Sequence, residues 1–385
     1  MVVVEGEGQG TPDAIGFGEK LLGLLETGSF TTSYKYALLL ALLDETLERT
    51  RPDGSPPTVL SGRELGRRVF ELYWRQARPF ADAGPLRQSG MRDIVVKLAE
   101  LRRELALPEH VSVDEARRRH ALEVRRVERD VVATVIRYPI PRLQRFVTGS
   151  QYVEDRFVYD IGWSEHVTTA RVHRADFDDR LHLAPRAGQH LIALSGLLRP
   201  VVEREWLRHV ARRNEHQVEE LRLEAFLFGS QRVSLEPVMR PLLELQAGRC
   251  FYCDRERDGF EVDHFLPWSR LPDDRLDNLV VAHARCNNAK RVALAGLEHL
   301  ARWSQRFEPG SRIDRRLTEV AEATRWPRHR ARTAAGARGL YLHQPAGTLL
   351  WAERQRVEPL DADRLREVLL AGPLAAEDPG TYEPR

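Results

Sequence analysis

The chain has 385 residues, 42% hydrophobic and 30% charged, with a formal net charge of only +2. That composition marks a globular protein of two or three domains, and three cysteines, an odd number, do not make a secreted disulfide framework. The longest apolar run, Tyr36 to Leu43, is too short to span a bilayer, and the N-terminal MVVVEGEGQG lacks the basic-then-apolar order of a secretory signal, so a cytoplasmic protein without membrane contacts is expected.

Residues 1–12 read as a flexible tail. Residues 14–49 read as helices: LLGLLETG stops at a glycine, and YKYALLLALLDETLERT follows a Ser/Thr-rich turn that can cap it. RPDGSPP (51–57) is a loop by composition. Helical patterns cover about 62–79, 85–105 and 113–135, and Pro139 and Pro141 break the run. Between 151 and 194 the alternation in QYVEDRFVYDIGW predicts short strands or irregular structure. A long helix over 198–226 follows, with Val202, Trp206 and Val210 on one face. A shorter one, about 235–247, stops at Gly248. Beyond residue 291 the pattern predicts helices at 292–306 and 313–325, a hairpin in GLYLHQPAGTLLWA (339–352), and a last helix at 361–371 before a polar tail.

Charge is unevenly spread. Residues 117–145 hold nine Arg against three acids, and 301–338 hold ten Arg against four. Both stretches suit phosphate backbones, or are solvated helix faces in a chain with only four Lys.

Chemistry concentrates in residues 248–291. All three cysteines lie here (Cys250, Cys253, Cys286), with three of the four asparagines (Asn278, Asn287, Asn288). Cys250 and Cys253 form a CxxC knuckle, and His283 and Cys286 repeat the spacing. Two such pairs can close a tetrahedron of soft S and N donors around a zinc with no open position, which makes that zinc structural. Between the pairs, Glu261-Val-Asp263-His264-Phe265 and LDNLVVAH read as strands, and the chain from Asn287 reads as a helix. A hard cation would find suitable oxygens on Asp263 and Asn287. An unperturbed histidine has a pKa of about 6.5, so a neutral His264 could take a proton from water at physiological pH. Adjacent strand residues point to opposite faces, so Asp263 and His264 meet one phosphate only if the strand ends or bends there. Taken singly, each residue also has a plain reading: a surface acid, a core histidine, a helix cap, and for Lys290 a solvated position.

This order (CxxC, Asp-His, Asn, then a zinc pair running into Cys-Asn-x-x-Lys) resembles the HNH endonuclease family, with HxxC where CxxC is usual. The resemblance covers about 44 residues. It implies metal-dependent hydrolysis of phosphodiesters, in DNA rather than RNA. Asp263 and Asn287 would hold Mg²⁺ or Mn²⁺, His264 would be the general base, and Asn278 would brace the loop that orients it. With the pattern along the rest of the chain, the expected fold is mainly α with small β elements. It has a helical N-terminal domain (1–148), a mixed connecting region with a long helix (149–235), a zinc-bound ββα-metal nuclease core (236–306) and an α+β C-terminal extension (307–385). The N-terminal region is expected to bind the target, a protein partner or a second copy, in a setting such as restriction or anti-phage defence. The competing expectation is a zinc-stapled nucleic-acid-binding or scaffolding protein that does not cut.

Overall fold

The computed structural model describes residues 12–27, 32–80, 84–89, 94–109, 111–148, 151–214, 220–228, 234–256 and 259–380. Residues 1–11 of the expected N-terminal tail, the turn at 28–31, residues 90–93 and the end of the polar tail lie outside these residues. The helix expected from 85 is corrected, since 85–89 are not helical and the helix described runs Ile94–Glu104. The chain divides into two compact units. The first takes residues 12–45 and 58–228, and the second residues 46–57 and 234–380.

The first unit is mainly helical: α1 (Ala14–Thr27), α2 (Tyr34–Leu47, whose last two residues belong to the second unit), β1 (Val59–Ser61), α3 (Gly62–Gln76), α4 (Ile94–Glu104), α5 (Val113–Arg119), α6 (Ala121–Arg137) and α7 (Pro139–Arg142). Then come β2 (Arg145–Thr148), β3 (Gln151–Glu154), β4 (Tyr159–Ile161), α8 (Thr169–Val172), β5 (Arg180–Leu183), α9 (Ala187–Ala193), α10 (Ser195–Arg213) and α11 (Glu220–Leu227). α2 is apolar around most of its circumference and is buried along almost its whole length. β1, β5 and β4 form a three-stranded antiparallel sheet, and β2 pairs with β3. α3 starts with a Ser61–Glu64 capping sequence whose serine accepts from the Glu64 amide. Asp179, fully buried, accepts from the Ser61 hydroxyl (2.6 Å), the Arg63 amide (2.8 Å) and the Arg63 guanidinium (2.8 Å). Asp179 thus anchors the start of α3. Gly66 lets α3 close on α6, because a Cβ there would lie 2.8 Å from the Val132 Cα. Val202, Trp206 and Val210 are fully buried on α10 as expected, but that helix ends at Arg213, and the described part of the remainder is the separate α11. Residues 215–219 of the expected long helix lie outside the description.

The second unit contains α12 (Glu236–Leu245), β6 (Phe260–His264), β7 (Leu279–His283), α13 (Ala284–Lys290), α14 (Leu297–Ser304), α15 (Arg312–Thr324), α16 (Arg330–Leu342), β8 (Leu349–Glu353), β9 (Arg356–Pro359) and α17 (Ala362–Arg366). The expected hairpin at 339–352 is corrected here. Its first half is the end of α16, and the hairpin is β8–β9, one strand further on. α16 packs through small residues. A Cβ on Gly336 would lie 2.5 Å from the Leu271 side chain, and one on Gly339 2.8 Å from the Thr50 hydroxyl. Tertiary packing therefore overrides the weak helix propensity of this glycine-containing stretch.

Part of the arginine stretch at 301–338 turns inward. Arg306 donates to the Leu279 carbonyl (2.6 Å), Arg338 to the Thr50 carbonyl (2.9 Å), and Arg328 to Asp277 (2.8 Å) and Asp314 (2.8 Å). Arg306 and Arg338 are buried, so these two are neither phosphate contacts nor a solvated face. A guanidinium has five donors in a rigid fork, which suits it to tying several carbonyls of a small unit together. No helix among the described residues is long and apolar enough to cross a membrane.

Candidate active site and metal centre

β6 and β7 pair antiparallel from Phe260↔His283 to His264↔Leu279, and α13 follows β7 directly. This is the expected ββα order, with His264 at the end of the first strand and Asn287 in the helix. α12 ends with Ala247 and Gly248 in left-handed conformations, and the Gly248 amide returns to the Leu243 carbonyl (2.9 Å). This C-cap aims the chain into the Cys250–Cys253 knuckle.

The knuckle meets the end of β7 and the start of α13. Cys250, Cys253, His283 and Cys286 each offer one donor atom, and the four atoms lie within 4.8 Å of one another. A tetrahedral zinc with Zn–S bonds of about 2.3 Å needs sulfurs about 3.8 Å apart, so the donor set can hold zinc without rearrangement of the fold. The His283 ring stacks on its cross-strand neighbour Phe260 (centroids 4.8 Å, planes 15° apart), with Nδ1 3.3 Å from the Cys253 sulfur. The His283 amide lies 3.4 Å from the Cys250 sulfur. Burial, followed by the neighbouring Cys250 and Cys253, pushes the Cys286 thiol up to about 12. A dication among the sulfurs reverses that neighbour effect and takes the thiolates as ligands.

Asp263 and His264 leave β6 on opposite faces, as alternation requires. Asp263 faces α13. Its Oδ2 accepts from the Tyr252 hydroxyl (2.6 Å) and the Lys290 ammonium (3.0 Å), and Lys290 also donates to the His264 carbonyl (2.7 Å). Both side-chain bonds fall on Oδ2, which leaves Oδ1 for another ligand. Burial, and then Asp263, holds the Tyr252 phenol well above its ordinary value, so it stays a donor. Asn287 lies on the same strand–helix interface. Its Nδ2 donates to Glu261 (3.0 Å), two residues before Asp263 on the same face of β6, so its carbonyl oxygen is left for a hard ion.

His264 packs against the loop that follows. Its Nε2 lies 2.8 Å from Asp274 Oδ1, and its ring tilts against Trp268 (centroids 5.2 Å). Asn278 braces this loop. Its Oδ1 accepts from the Leu266 amide (2.8 Å), and its Nδ2 donates to the carbonyls of Leu266 (3.2 Å) and Asp273 (2.9 Å). The adjacent Asp277 is clamped by Arg328 and the His329 amide (3.0 Å).

The structure thus gathers the four metal-ligand candidates at one end of the ββα unit and Asp263 and Asn287 along its strand–helix face. His264 sits on the loop side, one residue from Asp263. The solvated reading of Lys290 is corrected: its side chain is fully buried and ion-paired. The available signal was the rarity of lysine, one of four, inside the motif. Tyr252, Glu261 and Asp274 were not singled out, because what they touch is set by packing across the unit. Lys290→Met should lower stability by about 3–5 kcal/mol, because it strips the cation from a buried carboxylate. The readout is the midpoint of urea unfolding, and an unmoved midpoint would show that the pair contributes nothing.

Residues 252–295 match the family described as HNH endonuclease. The second unit therefore contains a segment similar to that family, and this segment includes the β6–β7–α13 arrangement. No curated protein and no solved structure matches the chain.

Proposed function

We propose that the protein is a metal-dependent endonuclease that hydrolyses phosphodiester bonds of DNA. The observation that carries this reading is a single arrangement inside the HNH-matching segment. A buried histidine at the end of β6 is held against a carboxylate, and on the opposite face of the strand the preceding aspartate keeps one oxygen for a further ligand, with an asparagine on the facing helix.

In this reading His264 accepts a proton from a water molecule. The water oxygen then bonds to phosphorus, and the bond from phosphorus to the 3′ oxygen breaks, leaving 5′-phosphate and 3′-hydroxyl ends. Asp263 Oδ1 and the Asn287 carbonyl oxygen would hold a Mg²⁺ or Mn²⁺ ion, which when bound neutralises charge on the phosphate. Lys290 and Tyr252 fix the Asp263 carboxylate, and Asn278 holds the loop that packs on His264. A zinc at Cys250, Cys253, His283 and Cys286 would be structural, since protein donors fill all four positions. The first unit is the natural place for target or partner recognition, and restriction or anti-phage defence is a setting such a protein fits.

The second reading is a zinc-stapled binder that does not cut. It leaves the His264–Asp274 pair and the Asp263 cluster without a task. Incubating the purified, zinc-loaded protein with supercoiled plasmid separates the two readings. Nicked or linear product that needs Mg²⁺ or Mn²⁺ is expected. Retarded but intact plasmid with either ion would favour the binder.

A further inference from the structure

Asp274 lies ten residues beyond His264, and nothing in the local sequence pattern assigns it to the site. Its carboxylate Oδ1 is 2.8 Å from His264 Nε2, with the two side chains 16% and 3% exposed. The backbone that presents it is held from several sides. The Trp326 indole donates to the Asp274 carbonyl (2.7 Å), the Asn278 amide donates to the Asp273 carbonyl (2.9 Å), and the Arg275 amide donates to the Asp273 side chain (2.9 Å). Asp273 in turn accepts from the Thr333 hydroxyl on α16 (2.8 Å). The carboxylate is therefore presented on a braced loop, against a ring that also packs on Trp268.

An ionised carboxylate only accepts hydrogen bonds. Next to it, Nε2 of a neutral His264 must carry the hydrogen, which leaves the lone pair on Nδ1. The same carboxylate stabilises the imidazolium that forms once Nδ1 takes a proton, and it opposes rotation of the ring. We propose that Asp274 is the positioning residue of this site, selecting the His264 tautomer that has Nδ1 free as the base. This inference rests on the reading of His264 as general base. Asp274 acts through His264 and has no contact with substrate.

The test uses the full-length, zinc-loaded protein and its Asp274→Ala, Asp274→Asn, Asp274→Glu and His264→Ala variants. The first readout is ¹⁵N NMR of the histidine rings, with His264 assigned by its absence from the His264→Ala spectrum. This readout needs no substrate. Wild type is expected to show a single Nε2–H tautomer, and Asp274→Ala a mixture. The second readout is plasmid cleavage with Mg²⁺. Asp274→Ala should lower kcat by about 10–100-fold with KM unchanged, and Asp274→Glu should recover part of that loss. Asp274→Asn keeps the shape of the side chain and guards against a folding artefact, and it too should lose kcat. An unaltered His264 tautomer in Asp274→Ala, or a wild-type kcat in both Asp274→Ala and Asp274→Asn, overturns the inference while an inactive His264→Ala leaves the nuclease reading intact. If His264→Ala cleaves like wild type, the base assignment itself falls, and the inference with it.

Discussion

Removing the metal from the Cys250–Cys286 cluster with a strong chelator is expected to unfold the ββα unit. One core cluster of this unit consists of Val238, Leu242, Leu276, Leu279 and Val281, with Leu317 and Val320 from α15. Phe251 and Tyr252 of the knuckle pack on Phe265, His299 and Trp351, and the four candidate donors connect the knuckle to both β7 and α13. Structural zinc contributes about 10–16 kcal/mol of apparent binding free energy, which is comparable to the whole stability of a domain. Cys286→Ser should reproduce the effect without a chelator. The cluster should also fail on acidification. Its thiols would bind a metal as thiolates, so protons compete with the metal for the same sulfurs and the contribution is lost on acidification. Far-ultraviolet circular dichroism during heating, with zinc counted by atomic emission, checks this. A melting curve indifferent to chelator would remove zinc from the account of the fold.

His264→Ala is expected to abolish cleavage, by about 10²–10⁴-fold from the loss of general-base catalysis alone. The protein should stay folded and zinc-loaded, because none of the four cluster donors belongs to His264. The substitution removes the partner of Asp274, and a solvent molecule can take its place beside a carboxylate that is 16% exposed. Substrate affinity should change little, since the ring is 3% exposed and offers a phosphate backbone little contact surface. Single-turnover rates on supercoiled plasmid, compared at equal zinc content, measure the effect. Equal nicking by both proteins would point to a contaminating nuclease and remove His264 from the mechanism.

The order of parts in the second unit was legible in the sequence. Cys250, Cys253, His283 and Cys286 could be read as one cluster because the paired spacing is local and the chain uses cysteine nowhere else. Asp263, His264 and Asn287 could be placed on a strand end and a helix because short alternation, a following proline and the end of β7 are local signals too. The hairpin misread at 339–352 shows where such signals stop. The stretch from Gly339 reads as the first strand of a hairpin, but the missing Cβ atoms of Gly336 and Gly339 are what allow α16 to close on Leu271, Leu47 and Thr50. By itself the sequence determined the ligand set, the ββα order and the identity of the motif residues, all of which depend on spacing over a few residues. Only the tertiary structure decided that Lys290 is a buried partner of Asp263, that the arginines Arg306 and Arg338 are internal ties, and that Asp274 meets His264. Each of these depends on which distant side chain shares a desolvated space, where an unpaired charge is costly and one partner must be found.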